Sequence, residues 1–225
     1  MKILNLYCGI GGNRKDWGNE HQITAVEINP QIAKIYQDNF PSDKVIVGDA
    51  HKYLLEHFME FDFIWSSPPC PSHSKLRKGF SVANGAKPIY PDMNLYQEII
   101  FLEGYFEGKY VVENVQSYYN PLIRPVKLNR HYFWTNFIIP QIKVDTGKIN
   151  LTGGWEKQDD LMQVRQLEND YDFDLSTYNL SLNMKRRLLR NCVNPKLGLH
   201  ILKCGIKTKQ QTVSDFFPMG HIIKV

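Results

Sequence analysis

The sequence predicts an α/β domain, a mostly parallel sheet with helices on both faces, that carries a small loop-rich insertion at 140–183. Three observations predict it. The chain opens as strand, glycine loop, helix; short apolar runs then alternate with helical stretches as far as Val115; and after residue 139 this alternation breaks. A length of 225 residues suits one such body with an appendage and is enough to bury a core.

The run KILNLY (2–7) reads as the first strand, followed at once by Gly9, Gly11 and Gly12 and then by a helical stretch around 14–19. ITAVEI (23–28) is a second strand, and a helix is expected from Pro30 to Asn39, since proline suits a first helical turn whose N–H has no partner anyway. KVIVG (44–48) and HKYLLEHF (51–58) repeat the unit. FDFIWSS (61–67) and KYVVENV (109–115) add two strands around an amphipathic helix near 93–106, and HYFWTNFII (131–139) reads as another strand. Residues 140–183 hold Gly147, Gly153, Gly154 and the acidic run ENDYDFD (168–174) with weak periodicity, so a module made mostly of loops is expected there. Helical character returns from Met184 to Lys203, interrupted at Asn194-Pro195. The main body is thus expected at 1–139 and 184–225.

Composition narrows the function classes. Lys and Arg number 27 against 23 Asp and Glu, a formal charge of +4 that permits binding to a polyanion without demonstrating it. The local distribution says more: 75–87 carries Lys75, Arg77, Lys78 and Lys87 with no acid, and 184–209 is basic again. Cys8, Cys70, Cys192 and Cys204 lie far apart, which argues against a zinc site or a disulfide framework. No stretch approaches the roughly 20 apolar residues of a membrane span, and the N-terminus lacks the apolar core of a signal peptide. The expectation is a cytoplasmic protein.

Five strand ends carry candidate chemistry. Tyr7-Cys8-Gly9-Ile10-Gly11-Gly12 follows the first strand, where glycines let the backbone approach a ligand, although the same glycines also serve a plain turn. Glu27 closes the second strand, where an acid can take ribose hydroxyls, and Asp49 closes the third; either could equally be a surface carboxylate or a helix cap. Ser67-Pro68-Pro69-Cys70-Pro71-Ser72 follows the fourth strand, and its prolines fix the direction of a thiol at the end of a parallel sheet, where ligands bind. Residues 71–92 then form a polar loop long enough for a lid. Glu113-Asn114 closes the fifth strand and can bring a carboxyl to a substrate held over the thiol.

In chain order and spacing these elements resemble the DNA cytosine C5 methyltransferase family. LYCGIGG matches its cofactor loop, AVEI its ribose-binding acid, VGDA its adenine-binding acid, SSPPC its catalytic Pro-Cys and VVENV its Glu-Asn-Val. Arg130 in NRHYFWTNF matches the last arginine of its Gln-x-Arg-x-Arg segment, and LRNCVNP matches the Gly-Asn-Ser/Ala-Val segment. The chain departs from the pattern at Asn5, where Asp is usual, at Val126 and Leu128, in place of the Gln and first Arg, and at Arg190, in place of Gly.

The resemblance implies a Rossmann-like class I fold dependent on S-adenosyl-L-methionine, with Cys70 as covalent nucleophile assisted by Glu113 and Arg130. It implies a cofactor pocket of Tyr7, Gly9, Gly11, Gly12, Glu27, Ile28, Asp49, Pro69 and Asn191. Contacts to double-stranded DNA would come from Ser72, Ser74, Lys75, Arg77, Lys78 and Asn114, and residues 140–183 would read the target through Gln158, Gln163, Arg165, Gln166 and Asn169. A monomer in a prokaryotic or phage-infected cell is expected, with room for a cognate restriction enzyme. The same chemistry on RNA, and a non-catalytic nucleic-acid-binding module, remain alternatives.

Overall fold

A computed structural model describes residues 1–75, 78–79, 85, 87–142 and 160–206. The strands expected from the alternation join in one sheet. β1 (Lys2–Leu6), β2 (Gln22–Glu27), β3 (Lys44–Val47), β4 (Phe63–Ser66) and β5 (Lys109–Val115) pair in parallel. β6 (Val126–Leu128) and β7 (His131–Thr135) form an antiparallel hairpin whose β7 pairs with β5, giving the order β3-β2-β1-β4-β5-β7-β6.

Among the described residues the sheet is flanked by the helices α1 (Pro30–Asn39), α2 (Ala50–His57), α3 (Asn94–Tyr105), α4 (Asp160–Tyr171), α5 (Leu182–Asn191) and α6 (Pro195–Ile206). Because side chains alternate across a strand, each strand feeds two layers. Leu4, Leu6, Ile64 and Val112 pack with Leu54 of α2 and Leu95, Ile99 and Leu102 of α3. Ile3, Phe63, Trp65 and Val111 pack with Leu197, Ile201 and Leu202 of α6. Caps fix where helices begin: the Asn29 side chain accepts from the N–H groups of Gln31 and Ile32, and Asn194 accepts from those of Lys196 and Leu197, each with proline at the next position.

One expectation is corrected and a second gains a helix. Residues 14–19 are turns, not a helix: the N–H groups of Arg14 and Trp17 bond three residues back, and the Arg14 side chain is drawn into a buried ion pair with Asp43 at 2.8 Å. The region expected to be mostly loops contains α4, and Val164, Leu167, Tyr171, Phe173 and Leu175 pack with Ile35 and Tyr36 of α1 and with Leu188 and Leu189 of α5. Its apolar positions three and four apart are diluted by acids, which hid the helical period. Residues 143–159, with Gly147, Gly153, Gly154 and Gln158, lie outside the described residues.

Candidate active site

The sheet order reverses between β1 and β4, the place where an open α/β sheet leaves a crevice at its C-terminal strand ends. Leu6 pairs with Ser66 and Ser66 with Val112, so the segments that follow these residues emerge side by side. Between them opens a cleft of about 1130 Å³. It brings together Cys70, Glu113 and Arg130 with Tyr7, Gly9, Gly12, Glu27, Ile28, Asp49, Pro69 and Asn191.

The glycine loop is built for close approach. Tyr7 has a positive φ of 53°, unusual for a bulky residue, and is held there by a 2.6 Å hydrogen bond from its hydroxyl to Glu98. Gly12 abuts α5: a Cβ added there would meet the Cys192 Cβ at 2.5 Å and the Val193 carbonyl at 2.8 Å. Gly11 does not line the cleft and lies against Tyr36 and Phe40 instead. Asn5, standing where Asp is usual, accepts from the Asn13 amide at 2.8 Å, which ties the strand to the far side of the loop.

Glu27 is buried, and its two oxygens accept from the backbone N–H groups of Gly9 at 3.1 Å and Asn29 at 2.9 Å. Each carboxylate oxygen keeps a lone pair for a further donor. Asp49 caps α2 through Lys52 N at 3.1 Å, so the cap expected as one alternative is present, on the cleft wall. Ile28, 69% exposed, lines the same cleft.

Cys70 is partly buried, and the N–H groups of His73 and Ser74 bond its carbonyl, so the chain turns immediately after the thiol. Burial and the neighbouring Glu113 raise its pKa, while Arg130 lowers it. The Glu113 carboxyl is buried and has its pKa pushed up to about 7 by loss of solvent, with Ser67 and Arg130 pulling against that shift. Ser67 itself accepts from Trp65 Nε1 at 3.0 Å. His131 approaches Glu113 at 3.7 Å, but burial depresses its pKa to about 3, so the contact is with a neutral imidazole.

Arg130 sits in the two-residue turn between β6 and β7, after Asn129 at a φ of 50°. Val126 and Leu128, which stand where the pattern has polar residues, belong to the core or pack against it. Support for Arg130 comes from elsewhere: its guanidinium donates to the Arg190 carbonyl at 3.0 Å, and Gln116 bonds the backbone of the turn.

Of the expected DNA contacts, Ser74 and Lys75 line the cleft. Ser72 accepts from Asp92 N at 2.9 Å, and Lys78 lies 4.9 Å over the Tyr118 ring. Asn114 is buried, donates to the Pro68 carbonyl at 3.0 Å and so ties β5 to the Pro-Pro-Cys segment. Arg77 lies outside the described residues. Sequence reasoning missed Glu98, which is buried on α3 and bonds Tyr7, His51 at 2.9 Å and Ser66 at 2.5 Å beneath the strand ends. It also missed Ser67 and His131 as neighbours of Glu113. A burial pattern on α3 is the one signal that could have singled out Glu98.

The fold and this set of strand ends define a methyltransferase-like α/β domain. The profile of the C-5 cytosine-specific DNA methylase family matches residues 1–120, more than half of the chain, and the chain belongs to that family. The Type II methyltransferase M.Bsp6I of Bacillus sp. (strain RFL6) is 30% identical over 112 residues, 46% of this chain and 35% of that protein. M1.HphI of Haemophilus parahaemolyticus, also a Type II methyltransferase, is 28% identical over 127 residues, 51% of this chain and 32% of that protein. The matched segment thus spans about a third of each relative's length. The solved structure of a Spodoptera frugiperda DNMT2 mutant covers 90% of this chain and 98% of its own at a TM-score of 0.57 and 19% identity, a likeness of fold.

Proposed function

We propose that this protein transfers a methyl group from S-adenosyl-L-methionine to C5 of cytosine in double-stranded DNA. The observation that carries the proposal is the meeting of Cys70, Glu113 and Arg130 in one cleft, with burial raising the Glu113 pKa to about 7. Gly9, Gly12, Glu27, Ile28, Asp49, Pro69 and Asn191 would hold the cofactor, with Tyr7 beside the adenine. Bound there, the cofactor supplies an electrophilic methyl group.

C5 of cytosine is a weak nucleophile, and addition of the Cys70 thiolate to C6 makes it enamine-like. That addition drives electrons toward N3 and O2, where a proton from Glu113 and the charge of Arg130 stabilise them. A neutral Glu113 also removes the charge that opposes the Cys70 thiolate, so one protonation serves both groups. Once C5 carries the methyl group, loss of the C5 proton restores the double bond and expels the thiol. The target atom is inaccessible in a stacked duplex, so the base must swing out, and Ser72, Ser74, Lys75, Arg77 and Lys78 after Cys70 are the proposed clamp on its strand. Residues 140–183 are proposed to read the site. Bisulfite sequencing of genomic DNA and of tRNA from cells expressing the chain tests the proposal: 5-methylcytosine at a fixed DNA context is expected, and methylation confined to RNA, or none, contradicts it.

A further inference from the structure

Helix α5 turns toward the cleft a row of cations that the reaction does not use. Asn183, Arg186, Arg187 and Arg190 line it, because residues three, four and seven apart share one helix face, while Leu188 and Leu189 enter the core. Among the described residues these cations find little compensation. Arg186 pairs with Asp160, Arg187 donates to the Met184 thioether at 2.9 Å, and no described residue accepts from the Arg190 side chain. Arg190 is partly buried, and burial together with Arg186 and Arg130 depresses its pKa, with Asp160, already paired to Arg186, pulling the other way.

We propose that Arg187 and Arg190 bind a phosphodiester of the target strand beside the extruded cytosine. The proposal rests on the DNA reading above. The same anionic oxygens could belong to the carboxylate of the cofactor's amino-acid tail, so the test has two arms, duplex affinity against salt and cofactor affinity by calorimetry, both on the full chain. For Arg187→Gln/Arg190→Gln the slope of log affinity against log salt should fall by about 0.9, the contribution of one neutralised phosphate. Cofactor affinity and melting temperature should stay as in the wild type, and Arg187→Lys/Arg190→Lys should restore the slope. An unchanged slope, or a loss confined to cofactor binding, overturns the proposal. A wild-type chain that binds cofactor but shows no salt-dependent duplex binding overturns the DNA reading itself.

A second inference comes from the sequence beyond α6, where residues 207–225 lie outside the described residues. It reads KQQTVSDFFP, with Gln210, an aliphatic residue three places on at Val213, and adjacent aromatics six and seven places on at Phe216 and Phe217. Val213, Phe216 and Phe217 are spaced i, i+3, i+4, the spacing of apolar anchors that fill grooves on partners. We infer that this segment docks on a ring-shaped sliding clamp of the replication machinery, a partner that encircles the same duplex and offers an apolar pocket with polar backbone beside it for a glutamine amide. Titration calorimetry of the full chain against the clamp of its own source should give binding that Phe216→Ala/Phe217→Ala weakens at least ten-fold, with methyl transfer on short duplexes unchanged. Equal binding by both proteins, or none by the wild type, overturns the inference.

Discussion

Glu113 is buried, and that burial has a measurable signature. Its pKa is raised to about 7 in the folded protein. A carboxyl with a raised folded pKa stabilises the fold fully below its unfolded value near 4.3, and that contribution is lost as pH rises through 7. Wild type should therefore lose stability relative to Glu113→Gln between about pH 4.3 and pH 7, by on the order of 3 kcal/mol, read from urea unfolding at pH 5 and pH 8.5. His131 acts at the other end: its folded pKa is held down to about 3, so stability falls as pH drops from about 6.5 toward 3. Glu113→Gln should also lower kcat by about 10²-fold or more, because an amide donates no proton. A variant with wild-type kcat, or with the same pH dependence of stability, contradicts the assigned role.

At the scale of elements, the site depends on how α6 and the glycine loop meet. Gly198 lies inside α6, where Ala would normally be favoured by about 1 kcal/mol. Here an added Cβ would meet the Asn13 carbonyl at 2.3 Å, backbone that cannot move without shifting the loop. Gly198→Ala should thus lower the melting temperature and weaken cofactor binding together; a stabilised variant would show that the loop yields freely. The strands and the strand-end residues Glu27, Asp49, Cys70 and Glu113 were legible in the sequence because each closes an apolar run that period and length identify. What escaped was whatever tertiary neighbours decide. Arg14 lost its expected helix to Asp43, and α4 was masked by its acids. Glu98 became a hub only because β1, α2 and β4 converge on it.

For the whole molecule, α4 buries Val164, Leu167 and Tyr171 and leaves Arg165, Gln166 and Asn169 exposed. Two to four base pairs is the site length expected of so short a reading segment, since each bidentate contact discriminates by only about 1–3 kcal/mol. Replacing those three exposed residues with Ala should relax the methylated context in bisulfite data without lowering the melting temperature; an unchanged context places recognition elsewhere. Cys70 and Glu113 at the strand ends and Arg130 in the β6–β7 turn are proposed to carry out covalent catalysis on cytosine. The most direct measurement is a denaturing gel of the protein after incubation with cofactor and duplex DNA carrying 5-fluorocytosine at the target. Fluorine at C5 cannot depart as the proton does, so the account predicts a shifted covalent band for the wild type that is absent for Cys70→Ser; an unshifted wild type, or an equal shift in both, would contradict it.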